Sequence, residues 1–171
     1  MLDSTAMTTP KLARADSFRK ENDTVAKTPT RTVLVNRART PQEMLDATKQ
    51  RAQYTVHRVV DSMPRGEEEA LEVTFVNLGH SVSDDNLDKE LEALGFKLTD
   101  PYTVGAVNEA DPTFVNEHPN GTHWKDINDD WCFIAFYRWQ GPHEVSVGPR
   151  VGAWNSLWWF PCVRLSVRVD Q

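Results

Sequence analysis

The chain has 171 residues, with 19 Lys and Arg against 25 Asp and Glu and a formal net charge of −6. That length supports one self-sufficient hydrophobic core plus a tail, with no need for disulfide or metal staples. Residues 1–50 hold 9 Lys/Arg against 6 Asp/Glu and residues 51–171 hold 10 against 19, so the body is acidic and a phosphate-gripping nucleic-acid surface is not expected of it.

The first residues carry no apolar run of the length that a signal peptide or a membrane span requires, so a soluble, cytoplasmic chain is the expectation. Cys132 and Cys162 then stay reduced and behave as small buried hydrophobes, a disulfide between them being the alternative that an oxidising compartment would bring. The sequon Asn120-Gly121-Thr122 carries no information without export. Residues 1–38 are rich in Thr, Ser, Asp, Lys and Arg and read as a flexible tail. Its apolar run Val33-Leu34-Val35 is either a docking strand or an isolated sticky patch.

Thr40-Pro41-Gln42-Glu43 is a capping box with Pro at the first helical position. Leu45, Thr48, Ala52, Val56, Val59 and Met63 follow at spacings of three and four, which predicts an amphipathic helix over 41–62, ended by Pro64-Arg65-Gly66. Such a stripe packs into a core or pairs with a second copy, so a homo-oligomer through helix 41–62 is one expectation. Leu71 to Leu78, rich in β-branched and aromatic residues, reads as a strand closed by Gly79. Ser83 then caps a helix over 84–94, with Asp84 and Asp85 at the positive end of its dipole, Leu87, Leu91 and Leu94 inward and Gly95 as the stop. Its outer face, with Asp85, Asp88 and Glu92, is either simply solvated or a docking surface for a basic partner. Asp100-Pro101 and Asp111-Pro112 each start a short helix, with Val104 and Val107, then Phe114 and Val115, turned inward.

From Thr122 onward the helical period gives way to strands. All six tryptophans lie at or beyond Trp124, together with both cysteines, in a predicted β meander over 122–168. Asp126-Ile127-Asn128-Asp129-Asp130 is the tip of a hairpin. In Trp131 to Trp139 both alternating faces are apolar, which predicts a central strand. Pro161 in the last strand removes a ladder donor, which predicts an edge or a bulge there. On that reading Trp131, Trp139 and Trp159 hold the sheet, while Trp154 and Trp158, beside the cationic Arg164 and Arg168, are the aromatics left to meet a ligand or partner. The sum is an α+β domain over 39–168. It holds a small antiparallel sheet of four to five strands, packed by an amphipathic helix, a capped short helix and two shorter ones.

Catalytic and metal signatures are sparse. Asp126-x-Asn128-x-Asp130 opens like a calcium loop, but Trp131 stands where that loop needs Gly and Tyr137 where it needs Glu. His123 and Cys132 can form a nucleophile pair only if the hairpin brings them together, and no oxyanion loop accompanies them. His80 and His118 match no zinc spacing. No cofactor or metal is called for.

The succession Leu78-Gly79-His80-Ser81-Val82-Ser83-Asp84-Asp85, Leu94-Gly95-Phe96, a Trp-rich hairpin and the closing Trp158-Trp159-Phe160 to Val163-Arg164 resembles a small domain of uncharacterised proteins from candidate bacterial phyla. Trp124-Lys125-Asp126, Trp131-Cys132 and the terminal aromatic strand are similar to the hairpin and last strand of C-type-lectin-like folds, without their disulfide pattern or calcium motif. The first resemblance implies a bacterial or phage-type protein of unassigned activity, the second a sugar-binding surface. The expected function is a non-enzymatic protein-interaction module, with a lectin-like domain and a Cys/His hydrolase as alternatives.

Overall fold

Two four-stranded sheets, a two-stranded ribbon and four α-helices make up the residues described by the computed structural model, 28–150 and 152–166. In chain order they are β1 (Thr30–Leu34), α1 (Pro41–Ala47), β2 (Arg51–Thr55), α2 (His57–Val60), β3 (Ala70–Val76), β4 (Val82–Ser83), α3 (Asp84–Ala93), β5 (Phe96–Leu98), α4 (Pro101–Ala110), a 3-10 turn (Phe114–Asn116), β6 (Asn120–Lys125), β7 (Trp131–Tyr137), β8 (Glu144–Pro149), β9 (Ala153–Trp154) and β10 (Phe160–Arg164). The fold is α+β.

The first sheet has the order β1-β3-β10-β5 with every pair antiparallel. The second runs β2-β8-β7-β6, antiparallel except for the parallel pair β2 and β8. The two meet where Trp159 N–H donates to the Pro119 carbonyl at 2.8 Å and Gly121 N–H to the Trp159 carbonyl at 3.3 Å. One core gathers Met44 and Leu45 of α1, Val59 and Val60 of α2, Val104 and Val107 of α4, Phe75 of β3 and Cys132, Ile134 and Phe136 of β7. The second gathers Leu87 and Leu91 of α3, Val76, Ala135, Trp154, Phe160 and Cys162. Successive residues of β7 therefore point into different cores, which is why both of its faces are apolar.

Several sequence expectations are corrected here. No helix spans 41–62. The Thr40 capping box forms, but the Thr48 hydroxyl takes the Leu45 carbonyl at 2.7 Å and Lys49 adopts a φ of 57°. Helical progression stops there, and Arg51–Thr55 pairs with β8 instead. Leu45, Val59 and Met63 still reach one core, from separate elements, and Thr48 is buried, whereas Ala52 is exposed on β2, so no continuous helical seam exists for a second copy. The tail boundary at 38 also moves. Residues 1–27 lie outside the described residues, and Val33 and Val35 are buried in and beside β1, whose register on β3 runs from Thr30 opposite Thr74 to Leu34 opposite Ala70.

The meander is divided as well. Only β6, β7 and β8 form one, while β9 pairs with β4 and β10 inserts between β3 and β5. Pro161 thus sits in a central strand, against expectation. Its carbonyl accepts from Thr99 N–H and Thr99 Oγ1, both at 2.9 Å, on the side where β5 has already ended at Leu98. A residue's N–H and C=O leave an antiparallel strand on the same side, so the missing donor would face the Thr99 carbonyl, which accepts instead from Thr122 Oγ1 at 2.7 Å. In α3, Ser83 takes the N-cap backbone conformation but makes no side-chain cap bond, and Leu94 is 58% exposed rather than inward. Asp100 does cap α4, whose residues from Pro101 to Asn108 are all buried, whereas the Asp111-Pro112 start yields only the 3-10 turn.

Candidate functional site

The first turns of α3 bring two carboxylates onto one histidine of the β6–β7 hairpin. His123 Nδ1 lies 2.7 Å from Asp84 Oδ1 and Nε2 lies 3.1 Å from Asp88 Oδ2. The imidazole is 2% exposed, Asp84 5% and Asp88 46%. Residues 84 and 88 are one helical turn apart, so both carboxylates can reach a ring lying beneath α3. Asp84 Oδ1 also accepts from Trp154 Nε1 at 2.9 Å, and Arg150 Nε lies 3.4 Å from Asp84 Oδ2. The Arg150 guanidinium lies as a cation over the Trp154 ring, at 4.3 Å, and near the Phe133 ring, at 5.6 Å. Trp131 stacks on His123 at 4.0 Å and donates its Nε1 to Asp85 at 2.8 Å. Burial alone would strip the proton from His123, but the bonds to Asp84 and Asp88 and their charges outweigh it and raise the histidine above its ordinary value. Burial lowers Arg150 from its usual value against the pull of Asp84.

Both His123 nitrogens face a carboxylate oxygen, so neither is open to a substrate in this arrangement. Cys132 is not its partner either: His123 is in register with Phe133 and Trp124 with Cys132, so adjacent positions send the two side chains to opposite faces of the hairpin. The Cys/His pair, considered as an alternative, is not formed. Burial pushes the thiols of Cys132 and Cys162 up, and both cysteines are 0% exposed and free. Native protein should therefore resist iodoacetamide over a period in which denaturant-unfolded protein alkylates at both sites. Mass spectrometry showing Cys132 modified in the native state would refute this burial.

The predicted site residues scatter. Trp154, expected on a surface, is 0% exposed in the second core. Of the expected acidic docking face, Asp85 and Glu92 are exposed and Asp88 is half-exposed, with Asp85 accepting from Trp131 and Asp88 facing His123. Arg164 is exposed, its guanidinium over the Phe96 ring at 5.3 Å, and Arg168 lies outside the described residues. At the hairpin tip, Asp126 Oδ1 accepts from Asn128 N–H at 2.9 Å and Asp130 N–H at 3.0 Å, so this oxygen serves its own turn. Among the described residues no group of three or more His, Cys, Asp or Glu is placed to hold a metal ion. The Asn120-Gly121-Thr122 sequon is buried in β6, Asn120 paired with Asn108, so the folded chain offers it to no glycosylating enzyme.

What surfaces instead is an aromatic corner where β7 ends and β10 begins. Trp139, expected to hold the sheet, is 54% exposed and Leu157 is 57% exposed. Trp139 stacks on Tyr137 with centroids 5.5 Å apart and an angle of 22°, and meets half-buried Trp158 edge-on at 5.8 Å. Trp158 in turn rests edge-on against buried Trp154 at 5.2 Å. Polar bonds fix this corner from behind. The Tyr137 and Ser146 hydroxyls pair at 2.8 Å, Asn77 Nδ2 donates to the Ser156 and Trp158 carbonyls at 2.8 and 3.0 Å, and Arg138 donates to the Gly141 carbonyl at 2.7 Å. Alternation in the sequence pointed to Trp158 but not to Trp139, because Trp139 lies two residues past the end of β7, where the sheet no longer covers it.

Among the described residues no helix is long and apolar enough to cross a membrane. No protein-family model, curated protein or solved structure matches this chain.

Proposed function

We propose that the protein is a non-enzymatic interaction module that binds a protein partner through the aromatic corner of Trp139, Trp158, Tyr137 and Leu157. The observation that carries this reading is the exposure of Trp139 while stacked on Tyr137 over a hydrogen-bonded backing. Exposed, pre-positioned tryptophans concentrate interface energy, because a two-torsion aromatic buries much area at little entropic cost. The backing bonds reduce the ordering that binding would otherwise require. The acidic body opposes an acidic partner at long range, so the reading favours a neutral or basic chain presenting an apolar segment.

Affinity capture with the wild-type chain and with Trp139→Ala tests the reading. A partner held by the first should be lost by the second, the isolated pair showing a dissociation constant higher by about 30-fold, as a hot spot worth about 2 kcal/mol requires. Equal capture by both chains would overturn it, provided the variant keeps its wild-type melting temperature.

A further inference from the structure

The contacts of His123 specify its charge. A neutral imidazole has one N–H and one lone pair, and it can donate to only one of two carboxylates. Here Nδ1 and Nε2 each approach a carboxylate oxygen, at 2.7 and 3.1 Å, so in the neutral ring one of those contacts would set a lone pair against an anion. Only the imidazolium satisfies both. Asp84 and Asp88 belong to α3 and His123 to β6, so the proton joins a helix to the hairpin beneath it.

We infer that His123 is a proton-operated latch that holds α3 on the β6–β7 hairpin and releases its hold when the imidazolium loses its proton. The ionisable groups around the ring fit this role. α3 presents Asp84 and Asp88 directly, and Asp85 through Trp131. Arg150, following β8, lies against Asp84, Lys125 of β6 stands over the Trp131 ring at 4.9 Å, and from β10 the buried Cys162 thiol feels the charge of Asp88. Arg150 keeps Asp84 partnered after the proton leaves, so release loosens α3 rather than unfolding the domain. The sign follows from linkage. The histidine is raised in the folded state, so the latch contributes fully below the ordinary value of about 6.5 and is lost as pH rises through the folded value. Within that window the opening constant of α3 climbs by up to about tenfold per pH unit, as release of one proton requires.

Amide hydrogen exchange of α3, corrected for intrinsic rates and followed from pH 6 to pH 9 by mass spectrometry, tests the latch. In the wild-type chain, α3 protection should fall with pH while β7 protection stays level. In Asp88→Asn, whose altered side chain is half-exposed and therefore compatible with folding, the fall should be smaller and complete at lower pH, because one carboxylate no longer favours the imidazolium. In His123→Gln the α3 fall should disappear. Imidazole nitrogen shifts should show both nitrogens protonated at pH 6. A single protonated nitrogen at that pH, or identical pH profiles in wild type and Asp88→Asn, would overturn the latch.

Discussion

Asp84→Ala should cost about 3–5 kcal/mol of folding stability, the range for removing one partner of a buried charge pair. The loss is large because two hydrogen bonds and an ion pair depend on this one carboxylate. Buried His123 and part-buried Arg150 would be left as cations short of an anion, and the Trp154 indole N–H would lose its acceptor. For a domain of this size that corresponds to a fall in melting temperature of roughly 10–20 °C. Calorimetry on Asp84→Ala and Asp88→Ala provides the check. The Asp88 side chain is 46% exposed and meets only one of these donors, so its removal should cost a minor fraction of the Asp84 value. Equal losses at the two positions would mean that the cluster does not act through Asp84.

Trp154→Ala should be comparably severe, again about 3–5 kcal/mol, from lost transfer energy and from the cavity left behind. The indole is fully buried and packs edge-on against Phe160 at 5.4 Å, Trp158 at 5.2 Å and Phe133 at 6.3 Å. Gly121 of β6 makes room for it, since a Cβ there would stand 3.0 Å from the indole ring. Arg150 would also lose the ring face over which its charge lies. Chemical denaturation should show the midpoint falling with little change in slope. Because Asp84 and Trp154 touch, the double variant should lose less than the two single losses added together. Full additivity would show that the bond between them carries no coupling. Trp139→Ala, by contrast, should barely move the midpoint, its ring being half in solvent.

These expectations set the tryptophans in an order that alternation alone misplaced. Trp154 and Trp139 exchange their expected roles. Alternation assigns faces within a strand that is already recognised, whereas Trp154 belongs to a two-residue ribbon with β4 and Trp139 lies beyond its strand. Neither position has enough regular backbone for a period to be read. The 41–62 stripe misled for a related reason. Its apolar spacing suits a helix, yet it is met by two short helices and a strand that turn toward the same core, and β2 exists because β8 lies ready to pair with it in parallel.

What the sequence determined by itself is local. The Thr40 capping box, the Asp100-Pro101 start of α4, the glycine stop at Gly95 with its φ of +87°, the hairpin tip at Asp126 to Asp130 and the two-faced apolar character of β7 each rest on residues a few positions apart. Their hydrogen bonds and steric preferences hold in any fold that contains them. Tertiary structure decided the rest: the insertion of β10 between β3 and β5, the parallel pairing of β2, and the meeting of Asp84, Asp88, His123, Arg150 and Trp154 around one proton. Those residues share no spacing that a local rule could detect. They meet because α3 has two leucines to bury, and burying them sets its first turn over the hairpin.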